Sequence, residues 1–129
     1  MSELTIGRLA DEAGVNVETI RYYQRRGLMV EPDKPFNGHR RYPDAAIKRV
    51  RFIKRARTLG FSMTQIADLL ALWNDKKRAS AQVKKMALAH AAELEAKIVE
   101  MQAMQRSLAH LAGHCHGDQR PECPILDDL

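Results

Sequence analysis

The stretch T-I-G-R-L-A-D-E-A-G-V-N-V-E-T-I-R-Y-Y-Q-R-R-G-L, Thr5 to Leu28, decides the fold. Thr5 is an N-cap residue, and Ile6, Leu9, Ala10 and Ala13 recur at helical spacing on one face. Gly14 stands where that helix must stop, because glycine takes positive φ at little cost. Asn16 then caps a second helix running to about Arg26, closed by Gly27. Two short helices across a glycine turn fit a helix-turn-helix over about residues 5–24. An ordinary helical hairpin gives the same pattern.

The downstream residues favour the first reading. The segment K-P-F-N-G-H-R-R-Y, Lys34 to Tyr42, contains Asn37-Gly38, a two-residue hairpin signal in which both central positions accept positive φ. Lys34, His39, Arg40 and Arg41 make this a basic wing suited to gripping phosphates. Pro43-Asp44 opens a third helix to about Leu59, with Ile47, Val50, Phe52, Ile53 and Ala56 facing inward. Lys48, Arg49, Arg51, Lys54, Arg55 and Arg57 cover its remainder, and Gly60 ends it. Ser62-Met-Thr-Gln65 is a capping box for a fourth helix whose stripe is Ile66, Leu69, Leu70 and Trp73, the Trp expected in the core. Residues 1–75 are therefore read as a winged helix-turn-helix head.

Residues 74–79 are polar and form a connection, after which Ser80 is expected to cap a long helix to about Ala112. Val83, Ala87, Ala91, Leu94, Ile98, Met101, Met104, Leu108 and Leu111 form a narrow apolar seam with steps of three and four. At ~1.5 Å per residue the helix is about 50 Å long, more than a small domain buries by itself. Residues 76–112 are thus read as a dimerisation helix, paired with its copy in an isologous, antiparallel coiled coil. Folding back onto its own head is the alternative. Gly113, Gly117, Pro121 and Pro124 turn residues 113–129 into a loop, with one helical turn after Pro124.

Charge is distributed unevenly. Residues 1–60 hold 13 Lys and Arg against 7 Asp and Glu; residues 61–129 hold 8 against 9. A basic front half suits a polyanion such as nucleic acid. No apolar run reaches membrane-spanning length and the start carries no secretory leader, so a cytoplasmic protein without membrane contact is expected. In that reducing compartment Cys115 and Cys123 read as free thiols or metal ligands rather than a structural disulfide. Thiolates are soft donors for Cu(I) and its heavier relatives, and for Zn(II), but a structural Zn(II) site wants four donors. The flanking His114 and His116 are extra donors only if the backbone bends sharply at Gly113 and Gly117. A two-thiolate site around a monovalent ion carries negative charge, which the start of the long helix could answer. There Ser80 and Lys84 would stand beside the loop of the antiparallel partner.

These segments together resemble the MerR family of metal-responsive activators: the opening T-I-G-R-L-A-D-E-A-G-V-N-V-E-T-I-R-Y-Y-Q-R-R-G-L, the wing G-H-R-R-Y, the run R-V-R-F-I-K-R-A-R-T-L-G-F-S and the closing C-H-G-D-Q-R-P-E-C-P-I-L. The back half is most similar to the copper-efflux branch. Its divalent-metal relatives commonly carry a third cysteine where this chain has Ser80, as the Cu(I), Ag(I) and Au(I) sensors do. The front half, in V-E-P-D-K-P and G-V-N-V-E-T-I-R, is similar to mercury-type regulators, and Hg(II) also accepts two thiolates. The resemblance implies a homodimer on promoter DNA that distorts the duplex for RNA polymerase when metal binds. It implies DNA contacts by Glu18, Thr19, Arg21 and Tyr22 of the recognition helix, Arg21 foremost. It further implies phosphate contacts by Lys34, His39, Arg40 and Arg41, although His39 stands where relatives often have Tyr. Tyr23 is either core or a DNA contact, and Tyr42 either grips phosphate or pins the wing.

Catalysis has no constellation here: the histidines are scattered and no Gly-rich phosphate loop exists. Two further readings are a zinc-stabilised structural module and a redox sensor closing Cys115–Cys123.

Overall fold

The computed structural model describes residues 3–34, 38–77 and 79–128. It contains six helices among these residues: α1 (Ile6–Ala13), α2 (Val17–Arg25), α3 (Ala45–Thr58), α4 (Met63–Asn74), α5 (Ser80–His114) and α6 (Pro124–Asp128). They fall into two compact units, Met1–Ala79 and Ser80–Leu129.

In the first unit the caps are set by local chemistry. Thr5 accepts a hydrogen bond from the Arg8 N–H at 3.2 Å, and Asn16 from the Thr19 N–H at 2.8 Å. Ser62 and Gln65 form the reciprocal box expected of them, with bonds of 3.1 and 2.8 Å. Gly14 ends α1 at φ 72°, where its N–H bonds the carbonyls of Ala10 and Asp11. α1 packs on α2 and α3, and α4 on α3. Their shared core comprises Leu9, Ala10, Ala13, Ile20, Tyr23, Leu28, Val50, Ile53, Ile66 and Leu70, among others. Tyr23 is buried, so of its two expected places it takes the core.

Two expectations for this unit need correction. Trp73 is not a core residue: it is 36% exposed and stacks on Phe52, ring centroids 4.7 Å apart. It stands at the penultimate position of α4, packed on α3 through Phe52 but not enclosed. The wing is not a strand hairpin among the described residues. Its arms carry no ladder, and the β-bridge at its base pairs Tyr42 with Leu4 through bonds of 2.8 and 2.7 Å. Pro35, Phe36 and Asn37, and hence the first half of the Asn37-Gly38 turn, lie outside the described residues; Gly38 has φ 88°.

The second unit is α5 with α6 packed against it. Ser80 is the first helical residue, not a residue preceding the helix, and α5 takes in Gly113 and His114, which the sequence assigned to the loop. Gly113 keeps helical backbone; the positive φ that breaks the chain comes at Gly117, φ 66°. Of the seam, Ile98, Met101, Met104 and Leu108 are all more than half exposed within one chain. A row of such side chains 3 or 4 residues apart is an interface awaiting a second surface. None of the described helices is long and apolar enough to cross a membrane.

Candidate functional site

The two units each present one candidate site. In the first, α2 and the wing enclose a cleft of about 450 Å³. Arg21, Gln24 and Arg25 line it from α2, and Lys34, Gly38, His39 and Arg40 from the wing. Four residues expected to meet DNA, Arg21, Lys34, His39 and Arg40, are thereby brought together. Glu18, Thr19, Tyr22 and Arg41 stand outside the cleft. Glu18 pairs with Arg21 at 2.6 Å, and the Thr19 hydroxyl donates to Asn16 at 2.9 Å as part of the cap. Tyr22 is half-buried, with the guanidinium groups of Arg25 and Arg57 over its ring at 5.9 and 5.7 Å. Arg41 is exposed.

The wing is held by side chains instead of a ladder. Arg40 reaches across to the Glu31 carboxylate and the Pro32 carbonyl, both at 3.1 Å. Tyr42 is only 2% exposed, and its hydroxyl accepts a hydrogen bond from the Gln24 amide on α2. Tyr42 therefore pins the wing to α2. Gln24 was missed in the sequence, where nothing local marks it; only the fold shows that its spacing from Arg21 places both beside the wing.

Three of the cations on α3 have a structural task that the sequence did not reveal. Arg49 donates to the Leu28 carbonyl at 2.8 Å, Arg51 to that of Glu12 at 2.6 Å, and Lys54 to that of Gly14 at 2.8 Å. Helix C-terminal carbonyls lack intrahelical partners and carry the negative end of the helix dipole. Cations from α3 satisfy them and tie α1 and the turn after α2 to one support. Helix spacing does not distinguish such anchors from solvated basic residues.

In the second unit Cys115 and Cys123 are both free and half-buried. Eight positions apart in sequence, they flank the loop that joins α5 to α6, and the Cys115 thiol is one of the groups that lower the Cys123 value. The Cys123 thiol is held below its ordinary value, first by the backbone N–H of Leu126, then by that of Ile125 and by the Cys115 thiol, against desolvation and the nearby Asp127 carboxylate. The cause is Pro124. Proline suits the first position of a helix, so Cys123 falls immediately before α6 and faces the free N–H groups of its first turn. His114 bonds the His110 carbonyl through Nδ1 at 2.9 Å, and no group of three or more His, Cys, Asp or Glu converges on one point among the described residues. Ser80 and Lys84 begin α5 while Cys115 follows its end. At ~1.5 Å per residue the two ends are about 50 Å apart, so within one chain they cannot share a site.

A sequence match to the MerR helix-turn-helix regulatory family spans residues 4–72, and one to the MerR DNA-binding family spans residues 47–111. The chain belongs to the MerR family. It is 49% identical over 126 residues to heavy metal-dependent transcription regulator 2 of Rhizobium meliloti (strain 1021), covering 98% of this chain and 86% of that protein. It is 42% identical over 130 residues to the mercuric resistance operon regulatory protein of Serratia marcescens, covering 100% and 89%. Among solved structures, the transcription regulator PbrR691 from Ralstonia metallidurans CH34, in complex with lead(II), superposes with a TM-score of 0.84 at 31% identity, covering 97% of this chain and 98% of that one. As a MerR-family protein the chain is a DNA-binding transcription regulator and not an enzyme.

Proposed function

We propose that this MerR-family regulator is a cytoplasmic homodimer that activates metal-resistance or efflux genes when Cys115 and Cys123 capture a soft metal ion, foremost Cu(I). The observation that carries the reading is the thiol pair: two free, half-buried cysteines flanking one loop, with the Cys123 thiol held low by the N–H groups of α6. The donor set fits a soft, low-coordinate ion. Two thiolates suit Cu(I), Ag(I), Au(I) or Hg(II), whereas a structural Zn(II) would want four donors. Relatives named for heavy metals and for mercury, and a structural neighbour solved with lead(II), support metal response in general. The absence of a third cysteine in the chain, with Ser80 opening α5, supports the monovalent choice.

The exposed seam of α5 supports antiparallel pairing with a second copy, which would carry Ser80 and Lys84 of one chain to the thiol loop of the other. Lys84 would offset the negative charge of the thiolate pair, and Ser80 would contribute the free N–H groups of the helix start. Residues 1–75 act as the DNA-reading head, 76–112 as the dimerisation helix and 113–129 as the metal loop. In the head, Arg21 reads bases with Glu18, Thr19 and Tyr22 alongside. Lys34, His39, Arg40 and Arg41 hold phosphates, which position the protein without specifying sequence. Bound metal supplies a crosslink between residues 115 and 123. The loop and the start of the partner's helix then favour one pose of the two heads on promoter DNA, presenting it in distorted form to RNA polymerase. A coupling of about 1–3 kcal/mol is typical of such linkage, comparable to the lower range of DNA bending costs.

Competitive titration of the reduced protein without oxygen tests the effector. Two thiolates per Cu(I), with weak Zn(II) binding, is the expected result, and tight tetrahedral Zn(II) or Co(II) binding would overturn the monovalent reading. A higher affinity for Hg(II) than for Cu(I), with activation by Hg(II) alone, would favour the mercury-type alternative. Cys115→Ser/Cys123→Ser should keep promoter binding and lose metal-dependent transcription. Unfolding of that variant would instead support a structural module.

A further inference from the structure

His110 and His114 lie four residues apart at the end of α5, both exposed, with ring centroids 4.3 Å apart. We propose that they form a second metal site, distinct from the thiol pair, for a tetragonal divalent ion of the Cu(II) or Ni(II) class. Histidines at i and i+4 share one helix face and can grip one ion between them. The bond from His114 Nδ1 to the His110 carbonyl sets the tautomer, since a carbonyl only accepts. A ring that donates this bond from Nδ1 offers Nε2 to a metal, the arrangement found in metal-ligating histidines whose other nitrogen donates to a carbonyl.

The ring spacing bears on which ion fits once both Nε2 atoms turn toward it. Donor nitrogens at about 2.0–2.1 Å from a metal place it about 3.2 Å from each ring centroid. A right-angled pair of donors then has centroids about 4.5 Å apart, and a tetrahedral pair about 5.2 Å. The observed 4.3 Å is nearer the right-angled separation than the tetrahedral one. Square-planar and tetragonal nitrogen sites favour Cu(II) and Ni(II), while tetrahedral sites favour Zn(II). No third His, Cys, Asp or Glu converges here among the described residues, so water completes the coordination. The pair uses nitrogen donors and neither sulfur, and it stands whether or not the thiols bind Cu(I).

The test uses the full chain with Cys115→Ser/Cys123→Ser, which removes thiol binding and thiol oxidation, titrated with Cu(II) against glycine as competitor. One Cu(II) per chain is expected, with electron paramagnetic resonance showing coupling to two imidazole nitrogens. His110→Gln/His114→Gln in that background should weaken binding at least tenfold and abolish the coupling. Either single change should leave coupling to one nitrogen, and His116→Gln should leave affinity and spectrum unchanged. Circular dichroism of each variant confirms that α5 is intact. Undiminished two-nitrogen binding after both His changes, or its loss on changing His116 alone, would overturn the proposal.

Discussion

The contact between Gln24 and Tyr42 makes the recognition helix and wing one piece, and Tyr42→Phe tests it. Phenylalanine keeps the buried ring, so no cavity forms, and only the hydroxyl that accepts from Gln24 is lost. A net hydrogen bond is worth about 0.5–1.5 kcal/mol, and the half-buried Gln24 amide can turn to water, so a loss of about 1 kcal/mol follows. For a domain of 60–100 residues that lowers Tm by roughly 4–8 °C. Tyr42→Ala, which empties the ring's space, should cost about 3–5 kcal/mol by analogy with other large aromatic truncations. Trp73 is the single tryptophan and lies in the same unit, so its fluorescence follows unfolding of the head. Combined with Gln24→Met, the double variant should show a coupling of about 0.5–1.5 kcal/mol, and promoter affinity should fall in every variant that frees the wing. Additivity within about 0.3 kcal/mol, with promoter binding unchanged, would refute the linkage.

Other consequences follow from the same geometry. Gly14→Ala forces a Cβ into φ 72° and within 3.3 Å of the Lys54 ammonium. Left-handed backbone costs about 1–2 kcal/mol for a non-glycine residue, so a clear drop in urea midpoint is expected, and wild-type stability would contradict it. Arg51→Met should destabilise the head by about 0.3–1 kcal/mol, the range for an exposed cation at a helix C-terminus, and less in high salt; an equal loss at all salt concentrations would contradict the electrostatic cause. Because the Cys123 thiol is held below its ordinary value in the folded chain, its thiolate persists to lower pH than in the unfolded chain. Its contribution to stability is present above the unfolded thiol value and lost as pH falls through the folded one. Iodoacetamide should modify Cys123 with a lower pH midpoint in the native protein than in urea; coincident midpoints would contradict the role of the α6 N–H groups.

Features governed by neighbours in sequence were legible. Thr5, Asn16 and the Ser62–Gln65 box act within one turn, and Gly14 is placed by the single backbone region that the turn demands. Features set by distant partners were not. Trp73 continues the apolar stripe of α4 and meets Phe52 of α3, yet it stays partly exposed near the helix end. Gly113 was read as a breaker, but helical backbone costs glycine only about 1 kcal/mol relative to alanine, and 33 preceding helical residues carry it. Both cysteines were recognisable as soft donors from their type and spacing. That Pro124 would set the N–H groups of Ile125 and Leu126 against one of them required the fold of the loop.

The anchoring of Arg49, Arg51 and Lys54 on backbone carbonyls changes what the basic front half means for DNA. A protein releases roughly one counterion from the duplex for each phosphate it neutralises, and the steepness of the salt dependence counts those phosphates. Cations already spent on α1 and the turn after α2 hold fewer phosphates than their charge suggests. The head should therefore tolerate rising ionic strength better than its tally of lysines and arginines implies.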